Sequence, residues 1–229
     1  MARLVLWDVD GTLIQTHGIG AAVFDRALEK VIGIGPASRL LLGGKTDPQI
    51  ALEYLRLMAV DDPEQRLPAV LEALEAELAA TAERMTETGE SLAGVPELLA
   101  RLAAEGIHQT LLTGNTAANA VVKVTAFGLQ GWLDLEIGAY GSDHSDRTEL
   151  VPIALERARL LRGLRVEPDD TWVVGDTAND LACARAGGAR CLLVATGGTS
   201  FRELEDLGPE AVLADLSDIE TAVRVLVET

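Results

Sequence analysis

Leu4-Val5-Leu6-Trp7-Asp8-Val9-Asp10-Gly11-Thr12-Leu13 is the stretch that decides the fold. Four consecutive apolar residues are the signature of a short strand buried on both faces, expected over 3–7. The run stops abruptly in two carboxylates, Asp8 and Asp10, with Gly11 and Thr12 behind them. Side chains alternate along a strand, so Asp8 and Asp10 start on the same side, and a turn at Gly11 can converge them.

Two other apolar strands end in the same way. A strand over 108–112 runs into Thr113-Gly114-Asn115, and a strand over 171–174 runs into Gly175-Asp176-Thr177-Ala178-Asn179-Asp180. Helical patterns over 95–104, 116–127, 147–161, 178–185 and 216–227 separate these strands from others expected over 133–137, 191–195 and 211–213. Strands alternating with helices imply an α/β fold with a doubly wound parallel sheet, in which ligands sit at the carboxyl ends of the strands.

Between the first strand and residue 88 the pattern is helical. One helix is expected over 18–31, with Ala22, Leu28 and Val31 on one face. Two more follow between 46 and 85: Asp47-Pro48 reads as an N-cap with proline at the first helical position, and Pro63 opens a helix striped by Leu67, Val70, Leu71, Leu74 and Leu78. The expected organisation is a core of residues 1–14 and 89–229 with a smaller helical domain, 15–88, inserted in it. The Val70/Leu74/Leu78 stripe is that insert's core or a dimer face, which keeps a homodimer among the expectations.

Composition narrows the partners. The 229 residues include 36 acidic and 19 basic side chains, for a net charge of −17, which speaks against a nucleic-acid partner. Aromatics are 3%, too few for a base-stacking platform. No segment approaches the length of a membrane span. Cys183 and Cys191 lie among apolar or small residues and read as buried free thiols, so a reduced, cytoplasmic setting is expected.

Asp176 and Asp180, four apart where a helix begins, can share a helix face. Together with Asp8 and Asp10 they would put four carboxylates in one pocket. Two unit charges about 4 Å apart repel by about 4 kcal/mol at an effective dielectric of 20. A bound divalent cation resolves that conflict, and oxygen ligands without His or Cys indicate a hard ion, Mg²⁺. A carboxylate is also ionised at neutral pH without an activating base, which suits in-line displacement at phosphorus beside Mg²⁺.

At these residues the chain resembles the haloacid dehalogenase superfamily, and within it the phosphoglycolate-phosphatase-like small-molecule phosphatases with a Rossmann-like core. Asp8-Val9-Asp10-Gly11-Thr12-Leu13 matches the first motif, DxDGT, Thr113 the second, and Gly175-Asp176 with Asp180 the fourth. The resemblance implies that Asp8 attacks phosphorus and that Asp10 protonates the leaving alcohol and then activates water. Crowding by other carboxylates would help Asp10 hold that proton. It implies Mg²⁺ on the Asp8 carboxylate, the Asp10 main-chain carbonyl and Asp176 with Asp180 close by, and phosphate on Thr113, Gly114 and Asn115, with Gly11 and Thr12 beside it. The family's usual third-motif lysine is missing. Arg147 fits by spacing, and Lys123 is its rival. The helical insert looks like a cap, and its loop Gly44-Lys45-Thr46-Asp47 would place Lys45 on the substrate's distal group. The implied activity is Mg²⁺-dependent hydrolysis of a small phosphorylated metabolite such as phosphoglycolate. A phosphonatase, a sugar phosphomutase and a non-turnover phospho-acceptor module are the alternatives.

Overall fold

The computed structural model describes residues 3–228; residues 1, 2 and 229, the outermost positions of the expected core, lie outside it. The first strand, β1 (Leu4–Trp7), is fully buried. Leu4 and Leu6 point into one apolar cluster, Val5 and Trp7 into another on the opposite face. Helices cover both faces, which is why the strand is continuously apolar.

The chain then makes a two-residue strand, β2 (Ile14–Gln15), before four helices: α1 (Ile19–Ile32), α2 (Asp47–Leu57), α3 (Pro63–Ala79) and α4 (Ala82–Thr88). It returns through β3 (Glu90–Ser91), which pairs antiparallel with β2, so the outgoing and incoming passes lie side by side. From there it alternates: α5 (Val95–Ala104), β4 (His108–Thr113), α6 (Ala117–Ala126), β5 (Ala139–Tyr140), α7 (Leu150–Arg162), β6 (Thr171–Gly175), α8 (Ala178–Ala186), β7 (Arg190–Val194), α9 (Phe201–Asp206), β8 (Ala211–Leu213) and α10 (Ile219–Val223). The main sheet is parallel, in the order β5-β4-β1-β6-β7-β8. The chain starts in the middle, builds outward to β5, then crosses back over β1 to build the other half. The order therefore reverses around β1, and the crevice for a ligand opens at its carboxyl end.

The four helices have an apolar cluster of their own, containing Val23, Phe24, Ala27, Leu28, Ile50, Tyr54, Val70, Leu74 and Leu78. Val70, Leu74 and Leu78 are thus internal to the helical module. On α1 the buried face is Val23, Phe24, Ala27 and Leu28; Ala22 and Val31 are only half-buried, because the stripe is centred one residue further round. The short α4 had no expectation behind it. The strand expected over 133–137 does not form: Gln130–Trp132 is a 3₁₀ turn, and the sheet edge is made by Ala139–Tyr140 instead. Asp134 N–H bonds Gln109 O and the Thr110 hydroxyl bonds Asp134 O, so this apolar run is held as a loop against β4.

Both cysteines are free and buried, and burial pushes the Cys183 thiol up to about 12 and raises that of Cys191 as well. No helix among the described residues is long and apolar enough to cross a membrane.

At the entry to α5, Gly94 has φ +78, and a Cβ there would lie 2.0 Å from the main-chain oxygen of Leu216. Gly94→Ala combines a left-handed backbone with a clash against main chain. It is expected to destabilise by about 2–3 kcal/mol, read as a lower urea midpoint at unchanged slope.

Candidate active site

The carboxyl ends of β1, β4 and β6 face the helical module across a cavity of about 300 Å³. Asp8, Asp10, Gly11, Thr113, Gly114, Asn115, Arg147 and Asp176 line it from the core, and Lys45 from the loop before α2. Three sequence-distant strand ends do converge, and the geometry shows how.

Asp8 is 4% exposed, and its N–H donates to Val174 O on β6 (2.9 Å), so the strand pairing continues to the residue itself. Arg147, in the 3₁₀ turn that leads into α7, donates from one terminal nitrogen to Asp8 Oδ1 (2.9 Å) and to Asp180 Oδ1. All three groups are buried. Burial works against the guanidinium charge, but the Asp180 and Asp8 carboxylates more than reverse this and hold it firmly protonated. Arg147 Nε is also buried and has no hydrogen-bond partner.

Asp176 and Asp180 do not share a helix face. Asp176 precedes Thr177, the N-cap of α8, while Asp180 is the third helical residue and turns back in a capping box. Its Oδ2 accepts the Thr177 N–H (3.0 Å) and hydroxyl (2.6 Å). This leaves Oδ1 for Arg147 and brings carboxylate oxygens of Asp8, Asp176 and Asp180 within 4.8 Å of one another. The backbone closes tightly around Asp176: a Cβ on Gly197 would sit 1.7 Å from its Oδ2, and one on Gly11 (φ +82) 2.7 Å away. Thr12, expected beside the substrate, is fully buried and donates to Asp176 Oδ1 (3.4 Å) instead.

Crowding shows in the acidities. Burial, with the Asp180 and Asp10 charges, pushes Asp8 up to about 6 even though Arg147 pulls it down. Burial and the Asp8 and Asp180 charges push Asp176 up to about 8. An oxygen-only trio carrying such strain fits a hard divalent cation, which would relieve it.

Asp10 departs from expectation. Its carboxylate lies outside the trio, where Oδ2 accepts Lys123 Nζ (2.6 Å) and Asn115 Nδ2 (2.8 Å). Burial alone would raise it, but the Lys123 ammonium and these two donors hold the carboxyl below the usual carboxylate range. The crowding expected to keep a proton on Asp10 falls on Asp8 and Asp176 instead. The two cations contact different acids: Arg147 pairs with Asp8 and Asp180, and Lys123 with Asp10 and Asn115 Oδ1 (2.7 Å).

Thr113 is buried at the end of β4 and accepts from Asn115 through both its side chain (2.8 Å) and its N–H (3.3 Å). The Asn115 amide expected to face a phosphate is thus engaged within its own loop. Gly114 lies under the incoming loop, its oxygen accepting Asp47 N–H (2.7 Å). Lys45 lines the cavity but pairs with Glu53 on α2 (2.5 Å).

Several participants had no functional expectation. The N-cap of α2 is Thr46, whose side chain accepts from Gln49 N–H and whose hydroxyl donates to Ser145 O (2.8 Å). Asp47 is one residue inside the helix. Its buried Oδ2 accepts Thr116 N–H (2.9 Å) and Asn119 Nδ2 (3.0 Å) at the start of α6. An acid before a proline looks like a local cap, and nothing nearby in sequence betrays its distant partner. Thr196 and Gly197 follow β7, and the Thr196 hydroxyl donates to Gly11 O (2.5 Å). Ala195-Thr196-Gly197-Gly198 was a fourth strand end of the same polar, glycine-bearing kind and could have been found by that signal.

A parallel sheet with buried carboxylates at its switch point defines an α/β enzyme site. Residues 5–185 match the haloacid dehalogenase-like hydrolase family, and the chain belongs to it. It is 25% identical over 231 residues to a probable phosphatase, IndB, of Dickeya dadantii, covering 100% of this chain and 96% of that one. It is 27% identical over 235 residues to phosphoglycolate phosphatase 1 of Pseudomonas aeruginosa, covering 96% and 79% respectively. Among solved structures, a predicted phosphatase from Clostridium acetobutylicum superposes with a TM-score of 0.72 at 17% identity, over 97% of this chain and 98% of that one. A predicted phosphoglycolate phosphatase from Haemophilus somnus gives 0.71 at 21%, with the same coverages of 97% and 98%.

Arg147 is the cation that lets Asp8 and Asp180 lie so close together. Arg147→Ala leaves both carboxylates buried and uncompensated. A loss of about 3–5 kcal/mol is expected in urea unfolding, with Arg147→Lys recovering part of it.

Proposed function

We propose that the protein is a Mg²⁺-dependent phosphatase that hydrolyses a small phosphomonoester through an aspartyl-phosphate. One observation carries this. The buried oxygens of Asp8, Asp176 and Asp180 lie within 4.8 Å of one another, and Asp8 shares a cavity with Asp10, Thr113 and Arg147.

Asp8 is the nucleophile: its carboxylate oxygen bonds to phosphorus as the bond from phosphorus to the leaving alcohol breaks. Asp10, held ionised by Lys123 and Asn115, takes up a proton from solvent or the incoming phosphate monoanion once that anion lies beside it, passes it to the alcohol's oxygen and, in the second step, takes one from the water that displaces Asp8. Inorganic phosphate leaves and the free carboxylate returns. Lys123 and Asn115 fix the Asp10 carboxylate for this work. Arg147 keeps Asp8 ionised, and its unpartnered Nε is a donor that a phosphate oxygen would satisfy. Thr113 closes the phosphate side of the cavity. Asp8, Asp176, the Asp10 carbonyl and nearby Asp180 would hold Mg²⁺, which supplies charge neutralisation at phosphorus. The helices of residues 19–88 act as the cap over this chamber. Their contacts with the core through Thr46 and Asp47 give a closed arrangement that excludes water from the first step. The family and the phosphatases among its relatives support this chemistry.

Two measurements test it. Phosphate release from a panel of phosphomonoesters is expected with the wild type and to fall below about a thousandth with Asp8→Asn; equal rates would refute the mechanism. Mg²⁺ at about a hundred times its Kd is expected to raise Tm by about 5–10 °C, and Asp176→Asn to abolish the rise.

A further inference from the structure

A phosphatase must recognise what the phosphate is attached to as well as the phosphate. The core supplies the phosphate end of the cavity, so the remaining wall is what the helical module presents. Four carboxylates line the cavity, Asp8, Asp10, Asp47 and Asp176, against three cations, Lys45, Lys123 and Arg147. Each of those cations is already paired within the protein: Arg147 with Asp8 and Asp180, Lys123 with Asp10, Lys45 with Glu53.

The Lys45 pair matters most, because it is the module's own cation at the cavity. Glu53 Oε2 holds Lys45 Nζ at 2.5 Å, and Glu53 Oε1 is fixed by Gln49 Nε2 at 3.2 Å. Gln49 and Glu53 are one turn apart on α2, so the helix carries a fixed counter-ion for the loop that precedes it. Asp47 is equally committed, to the start of α6. What remains of the wall is uncharged: Ala21, Phe24, Leu42 and Ile50, several glycines, and the neutral polar side chains of Gln15 and Thr16.

We infer that the site takes phosphate esters of small, uncharged alcohols with an apolar carbon body, and that Glu53 sets this preference by holding Lys45. This rests on the phosphatase assignment. A carboxylate in the substrate's tail, as in phosphoglycolate, would lose its water against an apolar wall without gaining a cation. To recruit Lys45 it would have to share an ammonium whose charge Glu53 already offsets. An alkyl or hydroxyalkyl body meets neither obstacle. The cavity, about 300 Å³, lies at the small end of ligand pockets and suits a small ester. Glu53 acts through Lys45 and is a positioning residue.

The test compares kcat/KM for propyl phosphate and phosphoglycolate in the presence of Mg²⁺, with p-nitrophenyl phosphate as a reporter of the chemistry. The wild type is expected to prefer propyl phosphate by about tenfold or more. Glu53→Gln frees Lys45 and is expected to move the ratio toward phosphoglycolate by about tenfold, chiefly through KM. Adding Lys45→Met to Glu53→Gln should cancel that move, which a merely structural role of Glu53 would not produce. A wild type that prefers phosphoglycolate, or a ratio unmoved by Glu53→Gln, overturns the inference while leaving the phosphatase assignment intact. If none of the three esters is hydrolysed, the phosphatase assignment falls and the inference with it.

Discussion

The contact on which the site depends is the buried guanidinium of Arg147 between Asp8 and Asp180. Carboxylates brought together at a sheet edge repel, and a low-dielectric setting magnifies the repulsion. One delocalised cation with several donors in a fixed fork can face two acids at once, which a lysine ammonium does less well. Arg147 is delivered by the turn that starts α7, Asp180 by the capping box that starts α8, and Asp8 by the end of β1. The pairing therefore ties three elements of the core to one point. It also leaves Asp176 as the acid without a cation of its own, and that is where the rise to about 8 appears.

A second charge system runs beside the first. Lys123 reaches Asp10 and Asn115 from α6, and Asp47 reaches the start of the same helix from the module. The module and Asp10 thus share α6 as a common support. Asp8 and Asp10, two residues apart, sit in different electrostatic surroundings, one raised and one lowered. Under the proposed chemistry the opposite order is needed, an ionised Asp8 and an Asp10 able to hold a proton; a divalent cation on Asp8 would lower the first, and a phosphate anion beside Asp10 would raise the second.

Much of this was legible in the sequence for a simple reason. Apolar runs such as Leu4–Trp7 must be buried, and what immediately follows them is placed by strand geometry. Strand geometry puts Asp8, Thr113 and Asp176 at the cavity in this way. Arg147 was legible only by spacing, because a buried guanidinium and a solvated one look alike in one dimension. Spacing alone does not show that the end of β1 faces two cations, Arg147 at Asp8 and Lys123 at Asp10. Asp47 and Glu53 were out of reach: each has a local explanation, as a helix start or an exposed acid, and a partner fixed only by tertiary packing. The run over 133–137 failed as a strand because its apolar side chains could be buried from a loop, leaving the edge of the sheet to Ala139–Tyr140.

Where the inserted loop meets the core, part of the touching surface is bare main chain lying beside the Thr46 and Asp47 side-chain contacts. Asp47 N–H bonds Gly114 O, and a side chain on Gly114 would start 2.0 Å from Lys45 O, just as one on Gly141 would start 2.0 Å from Gly114 O. The main-chain part of the seam does not depend on the side chain that Lys45 carries. Lys45 meets the core here only through its carbonyl, so its side chain can be exchanged without loosening the seat.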